Sequence, residues 1–309
     1  MITIGGFNTS LDRSVVLEEL RPGGVNRVHD VQTWPGGKGL HVALTVAALR
    51  EPVRLVGLID EAHRSFFEDR LRSAGVEFHA VVTPGPLRTC LAIREQGVGR
   101  VTEILEPGPG TDPETRRRLT SLFLERAGES HLGVLSGSAP PGFEDAVYGE
   151  LVAFLRKERV RCLVDASGAL LRGAVGASAF LIKPNRDELA ELVGRPMESV
   201  PAAVAAAREL SKKGPDTVVV SLGAEGAVAV QGDRAWRAEA PRVDVVNPVG
   251  SGDCLLGGIA VGLVRGLTAE AVLALGVACG AANAQSRETG SASRADIDRL
   301  LPTVRVERI

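Results

Sequence analysis

From about residue 130 onward the chain alternates short apolar runs with longer stretches in which apolar residues recur every three or four positions. Residues 132–135, 162–164, 180–182 and 217–221 have the length and composition of strands buried on both faces. Residues 147–157, 186–193 and 200–213, lying between them, carry helical spacing. The alternation predicts βαβ units and a mainly parallel sheet. Each strand runs into a polar or glycine-containing turn: Ser136-Gly137-Ser138, Asp165-Ala166-Ser167-Gly168, Lys183-Pro184-Asn185 and Ser221-Leu222-Gly223. Ligands of open parallel sheets bind beyond the carboxyl ends of the strands, so these turns map the expected site. The first 110 residues read differently, with β-type segments at 13–19, 26–33, 89–94 and 102–105 around a helical stretch at 41–49. The two separated β insertions, at about 12–35 and 87–107, predict one domain over 1–309 with a small β lid. No fixed-period repeat or proline-rich linker divides it.

Composition narrows the class. With 309 residues, 44% hydrophobic and 24% charged, the chain is a globular protein rather than a disordered one or a coiled coil. A formal net charge of −2 provides no cationic field to gather a polyanion, which argues against nucleic acid as a partner. The opening residues lack a basic segment followed by an apolar one, so no secretory signal is expected. Residues 254–264 are too short and glycine-rich to span a bilayer and predict a buried helix, so no membrane partner is expected. Cys90, Cys162, Cys254 and Cys279 form no C-x-x-C pair and have no histidine at zinc-ligand spacing. They read as reduced, mostly buried thiols of a cytoplasmic protein. Lysine occurs only at 38, 157, 183, 212 and 213 among the 36 basic residues. Lys38 and Lys183 stand beside turn residues, where a compact point charge meets a phosphate well.

The strongest local signal is Asn247-Pro248-Val249-Gly250-Ser251-Gly252-Asp253, leading into the apolar stretch 254–264. A helix starting near Gly252-Asp253 would leave the N–H groups of Gly250, Ser251, Gly252 and Asp253 unpaired at its positive end, an anion cradle beside a carboxylate. With a γ-phosphoryl group in the cradle, Asp253 can take the proton of an attacking hydroxyl. The same residues also make an ordinary turn and helix start. A Walker sequence is absent, and the third glycine of a dinucleotide fingerprint is missing. In Lys183-Pro184-Asn185-x-x-Glu188, Asn185 and Glu188 would share a face and offer oxygens to Mg²⁺ and its waters, or simply form a capping box. Lys183 could reach a nucleotide phosphate. Ser221-Leu222-Gly223-Ala224-Glu225-Gly226 supplies a turn open to nucleotide approach. Gly36-Gly37-Lys38-Gly39 is a second close-approach loop, and Asp12, after Asn8-Thr9-Ser10-Leu11, can grip sugar hydroxyls or form a turn.

With these motifs in this order, together with Thr102-Glu103-Ile104-Leu105-Glu106-Pro107-Gly108, the chain resembles the ribokinase-like, or phosphofructokinase-B, family over essentially its whole length. Within that family it is most similar to tagatose-6-phosphate kinases and 1-phosphofructokinases. The resemblance implies an α/β, doubly wound, mainly parallel ribokinase-like sheet with a β-sheet lid. It also implies ATP-dependent phosphorylation of a sugar hydroxyl. Asp253 matches the catalytic base and Gly250, Ser251 and Gly252 the anion hole. Asn185 and Glu188 would organise Mg²⁺ through water. Lys183, Ser221, Gly223 and Gly226 would lie along ATP, and Asp12, Gly37, Lys38 and Ser138 would face the sugar. Arg27 and Arg88 are candidates for a phosphate on the substrate, since a guanidinium grips phosphate bidentately. Two positions depart from the pattern: His41 stands where the family usually has Asn, and Thr9 where it usually has Pro. Imidazole is bulkier than a carboxamide and can carry charge, so His41 is a candidate substrate contact or a packed helix residue. The expected substrate is a phosphorylated ketohexose, tagatose 6-phosphate ahead of fructose 1-phosphate. The alternatives are a kinase of an unphosphorylated sugar, cyclitol or oligosaccharide, and a catalytically silent sugar-phosphate-binding regulator. The exposed edges of a β lid suggest a homodimer.

Overall fold

The apolar runs do become strands, stacked side by side with amphipathic helices on both faces. The computed structural model describes all 309 residues. In chain order its first half comprises β1 (Ile2–Gly6), β2 (Ser10–Leu17), β3 (Asp30–Gly36), α1 (Lys38–Ala48), β4 (Val53–Ile59), α2 (Arg64–Ala74), β5 (Val76–Val82), β6 (Arg88–Glu95), β7 (Arg100–Leu105), α3 (Pro113–Gly128) and β8 (Leu132–Ser136). The second half comprises α4 (Val147–Lys157), β9 (Arg161–Asp165), α5 (Gly168–Gly176), β10 (Leu181–Ile182), α6 (Arg186–Val193), α7 (Val200–Ser211), β11 (Thr217–Ser221), β12 (Ala227–Gln231), β13 (Arg234–Glu239), α8 (Ser251–Val264), α9 (Ala269–Ala284), α10 (Arg294–Leu300) and β14 (Arg305–Arg308).

Ten strands form the main sheet in the order β14-β13-β12-β11-β10-β9-β8-β1-β4-β5. The run from β11 to β5 is parallel, and β12, β13 and β14 close one edge antiparallel. Its two faces carry separate cores. One packs α1, α8 and α9 around Leu40, Leu256 and Ala278; the other packs α3, α4 and α7 around Phe123, Leu151 and Ala207. The second sheet has the order β3-β2-β6-β7, built from the two early β insertions. No helix is long and apolar enough to cross a membrane.

Several boundaries differ from expectation for identifiable reasons. The strand expected from residue 26 begins at Asp30, because the Asn26 side chain closes a turn on the N–H and C=O of Arg21. The expected 180–182 strand pairs only at Leu181–Ile182, and the helix expected to 213 ends at Ser211. Helix α9 was not predicted, since its alanines and glycines are buried almost all round and leave no polar face to set a period.

Candidate active site

The loop between β13 and α8 is tied down by two asparagines. Asn247 accepts from the Val249 N–H (3.1 Å) and donates to Thr289 Oγ1 (3.1 Å). Asn283, fully buried on α9, donates to the Val249 carbonyl (2.9 Å) and Ser251 Oγ (3.0 Å) and accepts from the Ser291 N–H (2.9 Å). Gly250 is the α8 N-cap, in left-handed conformation at φ 83°. The first turn is tighter than expected: Ser251 N–H donates to the Pro248 carbonyl and Asp253 N–H to the Gly250 carbonyl, both at 3.1 Å. The cradle therefore consists of two free amides, Gly250 and Gly252, rather than four. Lys183 Nζ lies 3.4 Å from the position a Cβ on Gly252 would take, so an ammonium stands beside the free amides.

Asp165, fully buried at the end of β9, organises the cations. Its carboxylate is 3.1 Å from Lys183 Nζ and 3.7 Å from Lys38 Nζ. The attraction of Asp165 raises the Lys38 pKa above the ordinary lysine value, against its desolvation. Beyond Lys183, Asn185 and Glu188 form the capping box of α6: Asn185 Oδ1 accepts from the Glu188 N–H and Glu188 Oε2 from the Asn185 N–H, each at 2.8 Å. Burial pushes the Glu188 carboxyl up, with Lys38 pulling it back. Ser221 bridges to Asn185 across the end of β11, and Gly223 turns at φ 62°. Gly226 has a packing duty of its own, because a Cβ there would sit 2.0 Å from the Ala238 carbonyl.

His41 does not project toward open cleft. On α1, itself capped by Gly37, it is wedged between two carboxylates, with Nδ1 2.8 Å from Asp253 Oδ2 and Nε2 2.9 Å from Asp12 Oδ2. The Nε2 contact is an ion pair without a well-directed hydrogen bond. Desolvation opposes charge on the ring, but the Asp12 and Asp253 carboxylates at its two nitrogens together outweigh it and raise its pKa to about 10. Asp12 Oδ1 accepts from Ser10 Oγ (2.7 Å), so both of its oxygens have protein partners. Asp253 Oδ1 has no partner and keeps access to the cleft. Gly290 covers the imidazole: a Cβ there would lie 2.0 Å from His41 Cγ. Glu103 on β7 is within electrostatic reach, and burial first, then Asp12 and Asp253, push its carboxyl up.

The proposed phosphate contacts separate. Arg88 donates to the Asn8 carbonyl (3.2 Å) and the Glu106 carbonyl (3.2 Å), and Asn8 Nδ2 donates to Ser138 Oγ (2.9 Å), so Arg88 and Ser138 are gathered around Asn8. Arg27 is exposed in the 18–29 connection and is not brought to them. Thr9 also stays out of the site: its hydroxyl donates to the Leu58 carbonyl inside the protein. The sequence reading assigned no duty to Asp165, Asn8, Asn283, Glu103 or Gly290. Asn283 had a visible signal, a lone amide inside Ala281-Ala282-Asn283-Ala284. The others depend on contacts between distant segments.

A parallel α/β sheet with a helix N-terminus, two lysines and an adjacent carboxylate at its carboxyl edge defines a phosphoryl-handling enzyme. Residues 3–296 match the pfkB family of carbohydrate kinases, and the chain belongs to that family as an ATP-dependent sugar kinase on a ribokinase-like fold. The tagatose-6-phosphate kinase of Staphylococcus epidermidis is 30% identical over 309 residues, 99% of either chain. The phosphofructokinase-2 of Escherichia coli, solved in complex with substrates and products, is similar at TM-score 0.91 and 28% identity over 98% of either chain. The ribokinase of Arabidopsis thaliana complexed with ribose and ATP shares the fold, at TM-score 0.79 and 23% identity over 97% of this chain and 98% of the other.

Proposed function

We propose that this kinase transfers the γ-phosphoryl group of ATP to a hydroxyl of a phosphorylated ketohexose, tagatose 6-phosphate ahead of fructose 1-phosphate. The observation that carries the reading is the α8 N-terminus, where the free Gly250 and Gly252 amides, Lys183 Nζ and the accessible Asp253 Oδ1 converge. In this reading the acceptor oxygen attacks the γ-phosphorus, its proton passes to Asp253 Oδ1 and ADP leaves. The amides and lysines meet charge on the transferring oxygens. Ser221, Gly223 and Gly226 border the nucleotide. Asp12, Gly37 and Lys38 border the sugar, and Arg88 and Ser138 its phosphate. Similarity to a tagatose-6-phosphate kinase supports a phosphorylated acceptor.

Mg²⁺ fits this donor set only in part. No group of three or more His, Cys, Asp or Glu side chains is placed to hold a metal. Asn185 and Glu188 would therefore hold the ion through water. When bound, the ion supplies charge neutralisation on the phosphates. We further propose a cytoplasmic homodimer joined through the second sheet acting as lid, where Val31, Ile104 and Leu105 are exposed. An acceptor screen with coupled ADP detection tests the substrate. Turnover on tagatose 6-phosphate, abolished by about 10²–10⁴-fold in Asp253→Asn, is the expected result. Turnover restricted to unphosphorylated sugars or cyclitols replaces the acceptor, and no turnover at all points to a regulator.

A further inference from the structure

Among five histidines only His41 has its two ring nitrogens on two different carboxylates, one from the second sheet and one from the helix that carries the proposed base. A neutral imidazole has one donor and one acceptor nitrogen, so it satisfies one carboxylate and presents a lone pair to the other. Only the doubly protonated ring suits Asp12 and Asp253 together. We propose that His41 is a positioning residue: as an imidazolium bridge it clamps Asp253 by Oδ2, leaves Oδ1 turned to the acceptor, and fastens the second sheet to the base. This deepens the function proposed above and rests on Asp253 being the base.

The surroundings are built for such a bridge. Gly290 closes over the ring at a distance no side chain tolerates, so the imidazole has no alternative position on that side. Asp12 is fixed from its other oxygen by Ser10, and Gly36 leaves it room, since a Cβ there would fall 2.1 Å from Asp12 Cγ. The charged groups in reach are Asp12 from β2, Asp253 from α8, Glu103 from β7 and Lys38 from α1. The two carboxylates in contact with the imidazole, Asp12 and Asp253, keep the proton on the ring, and Lys38 is drawn to Asp165.

Two measurements on the full chain test the bridge. In ¹⁵N-edited imidazole spectra of the ligand-free protein, one histidine should remain doubly protonated at about pH 9, and its signals should vanish in His41→Gln. In kinetics, His41→Gln should lower kcat about 10- to 100-fold while KM for ATP stays within about twofold, because an amide reaches one carboxylate and carries no charge. His41→Asn, with a shorter amide, should do no better. A ring that titrates near neutrality in the wild type overturns the bridge, whatever the enzyme phosphorylates. A variant in which only the acceptor KM rises makes His41 a substrate contact and also overturns it. A doubly protonated ring in a protein that phosphorylates no acceptor sinks the proposed function and leaves the bridge standing.

Discussion

At the scale of single residues the site is a set of charges held by other charges, and His41 shows what that implies for stability. Its pKa rises from an ordinary 6.5 to about 10 on folding, so the native state binds a proton the unfolded chain releases across that interval. The stabilisation is full below about pH 6.5 and declines as pH climbs to about 10, at up to about 1.4 kcal/mol per pH unit. Urea unfolding at stepped pH should show that decline in the wild type and a flatter profile in His41→Gln. Gly290 offers a sharper test, because Gly266 has nearly the same backbone, φ 65° against 67°, with nothing near its missing Cβ. Gly266→Ala should cost about 1 kcal/mol of backbone strain and leave kcat alone. Gly290→Ala should cost more and lower kcat, since its methyl displaces the His41 ring; equal effects in both variants would deny that displacement. Much at this scale was legible. Gly250, Ser251, Gly252 and Asp253 stood out from their spacing as an anion cradle with a carboxylate beside it, and Lys183 separately as a lone cation beside a turn. The tightened turn at Ser251 and Asp253 was not legible, because it follows from the left-handed Gly250 and its asparagine anchors.

Among elements, the helix pair α8 and α9 does the positioning. Helices α4, α6 and α7 were readable because each has a polar side facing water and an apolar side facing the sheet, and strands β8 to β11 because each is a short apolar run, buried on both faces, that ends in a polar or glycine-containing turn. Helix α9 has no such side: twelve of its sixteen residues are buried, so its sequence lacks the period by which a helix is recognised. The antiparallel edge β12 to β14 was missed as well, since no helical connection announces it. Yet α9 carries Asn283, which joins the loop before α8 to the loop that bears Gly290. Asn283→Leu keeps the volume but leaves the Val249 carbonyl and Ser291 N–H without partners, at a cost of about 2–4 kcal/mol. Because both loops touch the cradle, the lost stability should come with a fall in kcat in enzyme that remains folded. Calorimetry and steady-state kinetics on one preparation check both. Normal kcat in the folded fraction would mean the cradle holds without this tie.

For the molecule as a whole, the question is how the second sheet is held against the main one. Polar ties run from Asp12 to His41, from Asn8 to the Pro107 carbonyl, from the Leu87 N–H to Asp60, and from Arg94 to the Val246 carbonyl (2.7 Å), beside the apolar packing of Leu11 and Leu87 against the main core. Polar ties of this kind exchange with water at little net cost. Arg94 is the informative one. It runs from β6 to the irregular segment before Asn247, and the Val246 N–H in turn donates to the Ala284 carbonyl at the end of α9. Position of the second sheet is thereby linked to the loop that forms the cradle. Arg94→Ala should therefore raise KM for acceptor and for ATP together, by about three- to thirtyfold if one charge-assisted bond is lost. Amide exchange should quicken in both β6 and residues 243–250. Global stability should fall by no more than about 1–2 kcal/mol, because the two cores on the main sheet are untouched. If the acceptor KM alone moves, the second sheet is a substrate wall with no hold on the nucleotide side, and the link through Val246 is only a packing detail.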